Sequence, residues 1–218
     1  MLFDLDGTLV DSVYQHVLAW HETLEAAGIG LSVWRIHRRI GMSGGLFIKA
    51  LERELGRAVG DEEAGRLRAA HAAAFVRRFS DVRALPGARE LLAALTAVSV
   101  PWAIATSGSD QTARPALALL GLPADTLLIT RDQVAYAKPN PDLFLAAAER
   151  LRANPTESFV VGDSIWDLLA AQRAGALGVG VLSGGYGREE LEQAGAYRVY
   201  EDPADLLAHL DELGIRST

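Results

Sequence analysis

The sequence predicts an α/β fold: a doubly wound, parallel-sheet, Rossmann-like core with an all-helical block inserted after its first strand. Three observations lead there. From about residue 86 onward, short apolar runs alternate with amphipathic stretches, which implies parallel strands joined by right-handed helical crossovers. Between residues 11 and 84 the pattern is helical only. Acids and small polar residues stand at the ends of the strand-like runs, where open α/β sheets bind ligands.

Taken in order, the first strand is MLFD, apolar up to Asp4. It is so short that a few residues upstream of Met1 are expected. SVYQHVLAWHETLEAAG, GGLFIKALERELG and DEEAGRLRAAHAAAFVRRF follow as helices, with Gly28, Gly56 and Gly60 as stops or turns. The hinges of this block are expected at 11–13 and 82–87, where Pro86-Gly87 signals a turn. Next come the helix ARELLAALTAV, the strand PWAIAT and the helix SDQTARPALALLG. TLLIT, SFVVGD, LGVGVL and YRVYE continue as strands, with PDLFLAAAERL, IWDLLAAQRAG and PADLLAHLDELG as helices. The expected organisation is a core of residues 1–12 and 83–218 with a helical cap of residues 13–82.

Composition bounds the function. The chain has 218 residues and half are apolar, enough for one large domain or a domain with an insert. Its apolar runs are too short to cross a bilayer, and no charged-then-apolar leader precedes the first strand. With no cysteine there is no disulfide, thiolate metal site or cysteine nucleophile, which fits a cytoplasmic location. A net charge of −7 argues against general affinity for nucleic acid or anionic membranes. The five histidines lack the i, i+4 pairing of a zinc helix.

The chemistry gathers at strand ends. Asp4 and Asp6, separated by one leucine, repel each other, and burial would raise the cost. A cation, or a reaction that uses both, removes the conflict. The WAIA strand ends in Thr106-Ser107-Gly108, the FVV strand in Gly162-Asp163-Ser164 with Asp167 following, and Lys138 sits in AKPNPD. Each has an ordinary reading alone: a turn for DxDGT, a helix cap for Thr106-Ser107, a solvated lysine, acids on a helix dipole. DxDGT is a poor EF-hand, because its glycine comes too early and the terminal glutamate is missing. Their joint occurrence on one sheet edge points to a site.

These motifs, FDLDGTLVDS, IATSGS, AKPNPD and VVGDSIWD, resemble those of the haloacid dehalogenase (HAD) superfamily, in its helical-cap branch of phosphoglycolate phosphatases and β-phosphoglucomutases. The resemblance spans essentially the whole chain. It implies Asp4 as nucleophile forming an aspartyl phosphate and Asp6 as general acid/base, starting protonated while Asp4 is ionised. It implies Mg2+ held by Asp4, the Asp6 carbonyl and Asp163, phosphoryl oxygens bound by Thr106 and Ser107, and Lys138 offsetting charge with Asp167 in support. The expected partner is a small phosphorylated metabolite, with monomer or homodimer undetermined.

Two departures stand out: Ser107 occupies a position often asparagine in related enzymes, and Gly162 one often glutamate in the mutase branch. In the cap, QHVLAW resembles a mutase helix in which a histidine and a tryptophan have this spacing. His16 is thereby expected near the active-site acid as a substrate-side residue, and Trp20 as a packed aromatic or pocket wall. In RRIGMSGGLFIK, Arg38, Arg39 and Lys49 read as solvated charges or as readers of a substrate anion. The loop 183–187 reads as a strand-end loop near the site. A sugar-phosphate mutase is the alternative activity, His16 and Trp20 favouring it while Thr8 and Gly162 favour a phosphatase. Asp6 and Asp163 count against carbon–halogen hydrolysis, and the cap counts against a phospho-accepting signalling module.

Overall fold

The computed structural model describes residues 1–216; the last two positions of the expected 83–218 segment lie outside them. Eight strands are formed: β1 (Leu2–Phe3), β2 (Val10–Asp11), β3 (Arg83–Ala84), β4 (Ala103–Thr106), β5 (Leu128–Thr130), β6 (Phe159–Gly162), β7 (Leu177–Val181) and β8 (Ala196–Tyr200). The helices are α1 (Val13–Ala26), α2 (Val33–His37), α3 (Gly44–Leu55), α4 (Asp61–Arg78), α5 (Ala88–Ala97), α6 (Asp110–Leu119), α7 (Asp142–Leu151), α8 (Ile165–Ala174), α9 (Arg188–Gln193) and α10 (Pro203–Ala208).

Six strands form one parallel sheet in the order β5-β4-β1-β6-β7-β8. The expected doubly wound core is therefore present. The central strands are buried on both faces, which explains their unbroken apolar runs. Their pleat divides two cores. Phe3, Ile104 and Val161 face one, with Leu91, Leu95 and Leu117 of α5 and α6. Leu2, Ala103, Ala105 and Val160 face the other, with Leu143, Phe144 and Ala171 of α7 and α8. Alternation with period 2 thus covers both faces with helices.

From β1 the chain builds outward through β4 and β5, then returns to the other side of β1 for β6, β7 and β8. The strand order reverses at β1, and the crevice of such a fold lies at the carboxyl end of that strand. Phe3 is level with Ile104 and with Val161, so Asp4 emerges between the ends of β4 and β6.

The helical block has its own apolar centre. Val13, Val17, Trp20 and Leu24 recur at helical spacing on α1 and meet Ile36, Phe47, Leu51 and Leu67. Not anticipated were the short helices α2 and α9 and the antiparallel pair β2–β3, where Val10 faces Ala84 and Asp11 faces Arg83. That pair ties together the two crossings between block and sheet. Phe75 of α4 and Ala19 of α1 reach the main core, so block and sheet share apolar contact.

Candidate active site

Five strand or loop ends deliver side chains to the crevice. Asp4 follows β1 directly and is held in place by its N–H donating to the Val161 carbonyl at 2.9 Å. Lys138, on the loop before α7, is fully buried; it pairs with Asp4 and lies 2.8 Å from Asp167 Oδ1. Burial alone would push the Lys138 ammonium down, but the charges of Asp167 and Asp4 outweigh it and hold it above its usual range. It is therefore a fixed cation.

Asp167 belongs to the first turn of α8. Its Oδ2 accepts from the Ser164 N–H at 3.2 Å and from the Ser164 hydroxyl, closing the helix start. Gly162 makes this possible: a Cβ there would lie 2.2 Å from Asp167 Cβ. Asp167 is thus spent on Ser164 and Lys138.

Asp163 ends β6, buried, with the Thr8 hydroxyl donating to its Oδ1 at 3.2 Å. Gly184, in the loop after β7, closes over it, where a Cβ would come within 1.7 Å of Oδ2. The loop 183–187 is beside the site, as its sequence suggested, and the Ser183 hydroxyl donates to the Gly7 carbonyl at 2.6 Å.

The acids outnumber the cations facing them. Oxygens of Asp4, Asp163 and Asp167 lie within 4.8 Å of one another, all buried. Desolvation pushes the Asp4 carboxyl up to about 7, with Lys138 opposing and Asp167 and Asp6 adding to the rise. Desolvation, then Asp167 and Asp4, raises Asp163 well above the usual carboxylate range. Oxygen-only donors, excess negative charge and a carboxylate cradled by glycine fit a hard divalent cation, with Asp4 and Asp163 free to hold it.

Asp6 is set differently. Its Oδ1 accepts from the Ser12 hydroxyl at 2.6 Å and lies 3.3 Å from His16 Nε2, and Thr106 Oγ1 lies 3.4 Å from Oδ2. Burial pushes Asp6 up, but His16 and then the Ser12 bond outweigh it, leaving the carboxyl below its usual range. The Ser12 hydroxyl and His16 thus hold the side chain of Asp6 from the side of α1. His16 Nδ1 in turn lies 3.2 Å from His71 Nε2. Desolvation, then the neighbouring His16, holds His71 well below the usual histidine range.

Thr106 Oγ1 accepts from the Gly108 N–H at 2.9 Å, which fixes the loop after β4. Ser107 Oγ is buried and has no hydrogen-bond partner among the described residues. A buried hydroxyl left open costs free energy unless a ligand completes it. Asp4, Asp6, His16, Thr106 and Ser107 all line one cavity of ≈ 80 Å³, with Trp20 in its wall. Trp20 satisfies both readings, since it is also buried and stacks on Phe47 and His71. Arg38 pairs with Glu190; Arg39 lines the cavity while pairing with Glu54 and donating to the Arg35 carbonyl.

Ser12, His71 and Ser164 were missed from the sequence. Ser12 and Ser164 stand inside quoted motifs, whereas His71 is a lone histidine in an alanine run, signalled only by Phe75 one turn on.

Known proteins give the same picture. A sequence model of the haloacid dehalogenase-like hydrolase family matches residues 1–175. Hexitol phosphatase A of Escherichia coli (strain K12) is 35% identical over 176 residues, covering 80% of this chain and 78% of the relative. A phosphoglycolate phosphatase of Rhodospirillum rubrum is 31% identical over 214 residues, covering 94% and 88%. The crystal structure of a hydrolase from Pseudomonas syringae superposes with a TM-score of 0.95 at 57% identity, covering 97% of each chain. On this evidence the protein belongs to the haloacid dehalogenase-like hydrolase family.

Proposed function

We propose that the protein is a Mg2+-dependent phosphatase that hydrolyses a small organic phosphomonoester through an aspartyl phosphate on Asp4, with the helices of residues 13–82 as a cap over the site. The observation that carries this reading is the fully buried Lys138 held between Asp4 and Asp167, beside the uncompensated carboxylate of Asp163. Such an arrangement serves a reaction that brings a dianion onto a carboxylate.

Asp4 and Asp163, with the Asp6 carbonyl, would hold Mg2+, which when bound neutralises charge on the phosphoryl oxygens. Lys138 offsets the remaining charge on Asp4, and Thr106 and Ser107 donate to phosphoryl oxygens. The unpartnered Ser107 hydroxyl supports that role beside its amide.

An Asp4 oxygen attacks phosphorus in line, the bond from phosphorus to the leaving oxygen breaks, and the leaving oxygen takes a proton from Asp6. Asp6 then accepts a proton from water as the water oxygen attacks phosphorus, the bond to Asp4 breaks and phosphate departs. His16 Nε2 lies 3.3 Å from Asp6 Oδ1 and orients that carboxyl through both steps. His16 is therefore a positioning partner of Asp6.

The His16 contact also suits a sugar-phosphate mutase. Against it, a side chain at Gly162 would strike Asp167, so the acid found there in many mutases does not fit this loop. Purified protein assayed against a panel of phosphorylated metabolites, with Mg2+ and with EDTA, tests the reading. Free phosphate released only with Mg2+ is expected; isomerised sugar phosphate without net release would favour the mutase, and no turnover of any ester would refute both.

A further inference from the structure

Beside the reaction cavity lies a wider opening of ≈ 650 Å³ that shares Gly44 and Arg131 with it. Three cations line it: Arg131 after β5, Arg68 from α4 and Lys49 from α3, against one acid, Asp132. Asp132 is partly occupied, since its Oδ2 accepts from the Asp110 N–H at 2.8 Å while Oδ1 stays 3.7 Å from Arg131 Nε. Among the described residues neither Lys49 nor Arg68 has an acidic partner. Elsewhere in the cap Arg35, Arg39, Arg57 and Arg66 each face a glutamate, while Arg53 in the last turn of α3 does not. Unneutralised positive charge on a chain of net charge −7 is local and directional.

Two of the cations meet at one point. A Cβ at Gly44 would lie 3.3 Å from Arg131 Nη1 and 3.3 Å from Arg68 Cδ, so both arginines lie close over this glycine. Gly44 also opens the twelve-residue α3, where Ser43 Oγ accepts from the Leu46 N–H and the Gly44 and Gly45 N–H groups are left for an anion. The Arg131 N–H donates to the Gly108 carbonyl at 3.1 Å, which couples the arginine to the expected phosphate loop. With only ≈ 80 Å³ beside Asp4 and Asp6, a carbon skeleton attached to the phosphoryl group extends past Gly44 and Arg131.

We propose that this opening binds a second anionic group, a carboxylate or a phosphate, on the leaving portion of the substrate. The substrate class is then small phosphomonoesters with two anionic ends, rather than phosphates of neutral polyols. The inference rests on the phosphatase reading of the adjacent cavity.

The test is kcat/KM with saturating Mg2+ for three esters: glycerol phosphate, phosphoglycolate and a sugar bisphosphate. The unmodified chain is compared with Arg131→Ala, Arg68→Gln and Lys49→Ala. The unmodified chain is expected to prefer an ester with a second anion, and the better of the two identifies that anion. Loss of a charged hydrogen bond lowers the preference over glycerol phosphate about tenfold to a hundredfold in Arg131→Ala, mainly through KM. Smaller losses follow for Arg68→Gln and Lys49→Ala; Lys49 is exposed, so its variant reports even if Arg131→Ala fails to fold. Preference for glycerol phosphate, or a ratio unmoved by all three substitutions, would overturn the inference while leaving the phosphatase intact. Failure of the underlying reading looks different: no ester, p-nitrophenyl phosphate included, would release phosphate.

Discussion

Replacing Lys138 by methionine removes one positive charge and leaves the shape of the site nearly unchanged. The lysine stem is fully buried, and its ammonium sits 5.0 Å over the Phe144 ring, where a methionine also packs. What is lost is the cation facing Asp4 and Asp167. Removing one partner from a buried ion pair costs about 3–5 kcal/mol, because the other charge stays uncompensated. In the metal-free protein that cost grows as pH rises through neutral and shrinks on acidification, as the stranded carboxyls take up protons. Turnover should fall by roughly a hundredfold to a thousandfold, the usual effect of deleting one preorganised charge-stabilising group. Urea unfolding midpoints in EDTA, with phosphate release at saturating Mg2+, measure both. Lys138→Met with an unchanged midpoint near neutral pH and turnover within about twofold would refute the role given to this lysine.

Three further outcomes follow from the same geometry. Asp4, pushed from 3.8 up to about 7, binds its proton more tightly when folded. Its contribution to stability is therefore fully present below about pH 4 and lost as pH rises through about 7. Asp163 shifts in the same direction. Melting of the metal-free protein should show this loss, on the order of 4 kcal/mol at most, and added Mg2+ should suppress it; a flat profile would contradict it. Gly162→Ala, with its Cβ 2.2 Å from Asp167 Cβ, should cost about 1–3 kcal/mol and displace Asp167 from Lys138. A lowered Tm with reduced kcat is expected, and normal values of both would count against the close contact. His16→Gln, which disturbs the contact that orients Asp6, should lower kcat about a hundredfold with little change in KM, and an unaltered kcat would remove His16 from the positioning of Asp6.

Much of this site could be read in the sequence because its pieces are local. FDLDGT, ATS and GDS each place a functional group at or just past a strand end, KP places Lys138 on the loop before α7, and the α/β pattern gathers these on one edge. What could not be read depends on distant parts of the chain meeting. The His16–His71 contact joins α1 to α4, 55 residues apart. Arg131, Arg68 and Lys49 converge from three elements with no shared motif. The pair β2–β3 was invisible because two-residue strands carry no periodicity. The surroundings of Asp6 were hidden for a similar reason: they are set by Ser12 and His16, on the residues leading into α1 and on α1 itself.

The most direct measurement is chemical trapping of the phosphorylated enzyme during turnover with Mg2+. Borohydride reduces an aspartyl phosphate to homoserine, and peptide mass spectrometry then identifies the residue carrying the change. The expected result is homoserine at residue 4, absent without substrate and absent in Asp4→Asn, which should retain its fold and lose turnover. Full turnover by Asp4→Asn, or reduction at a different carboxylate, would contradict the nucleophile on which the proposed reaction depends.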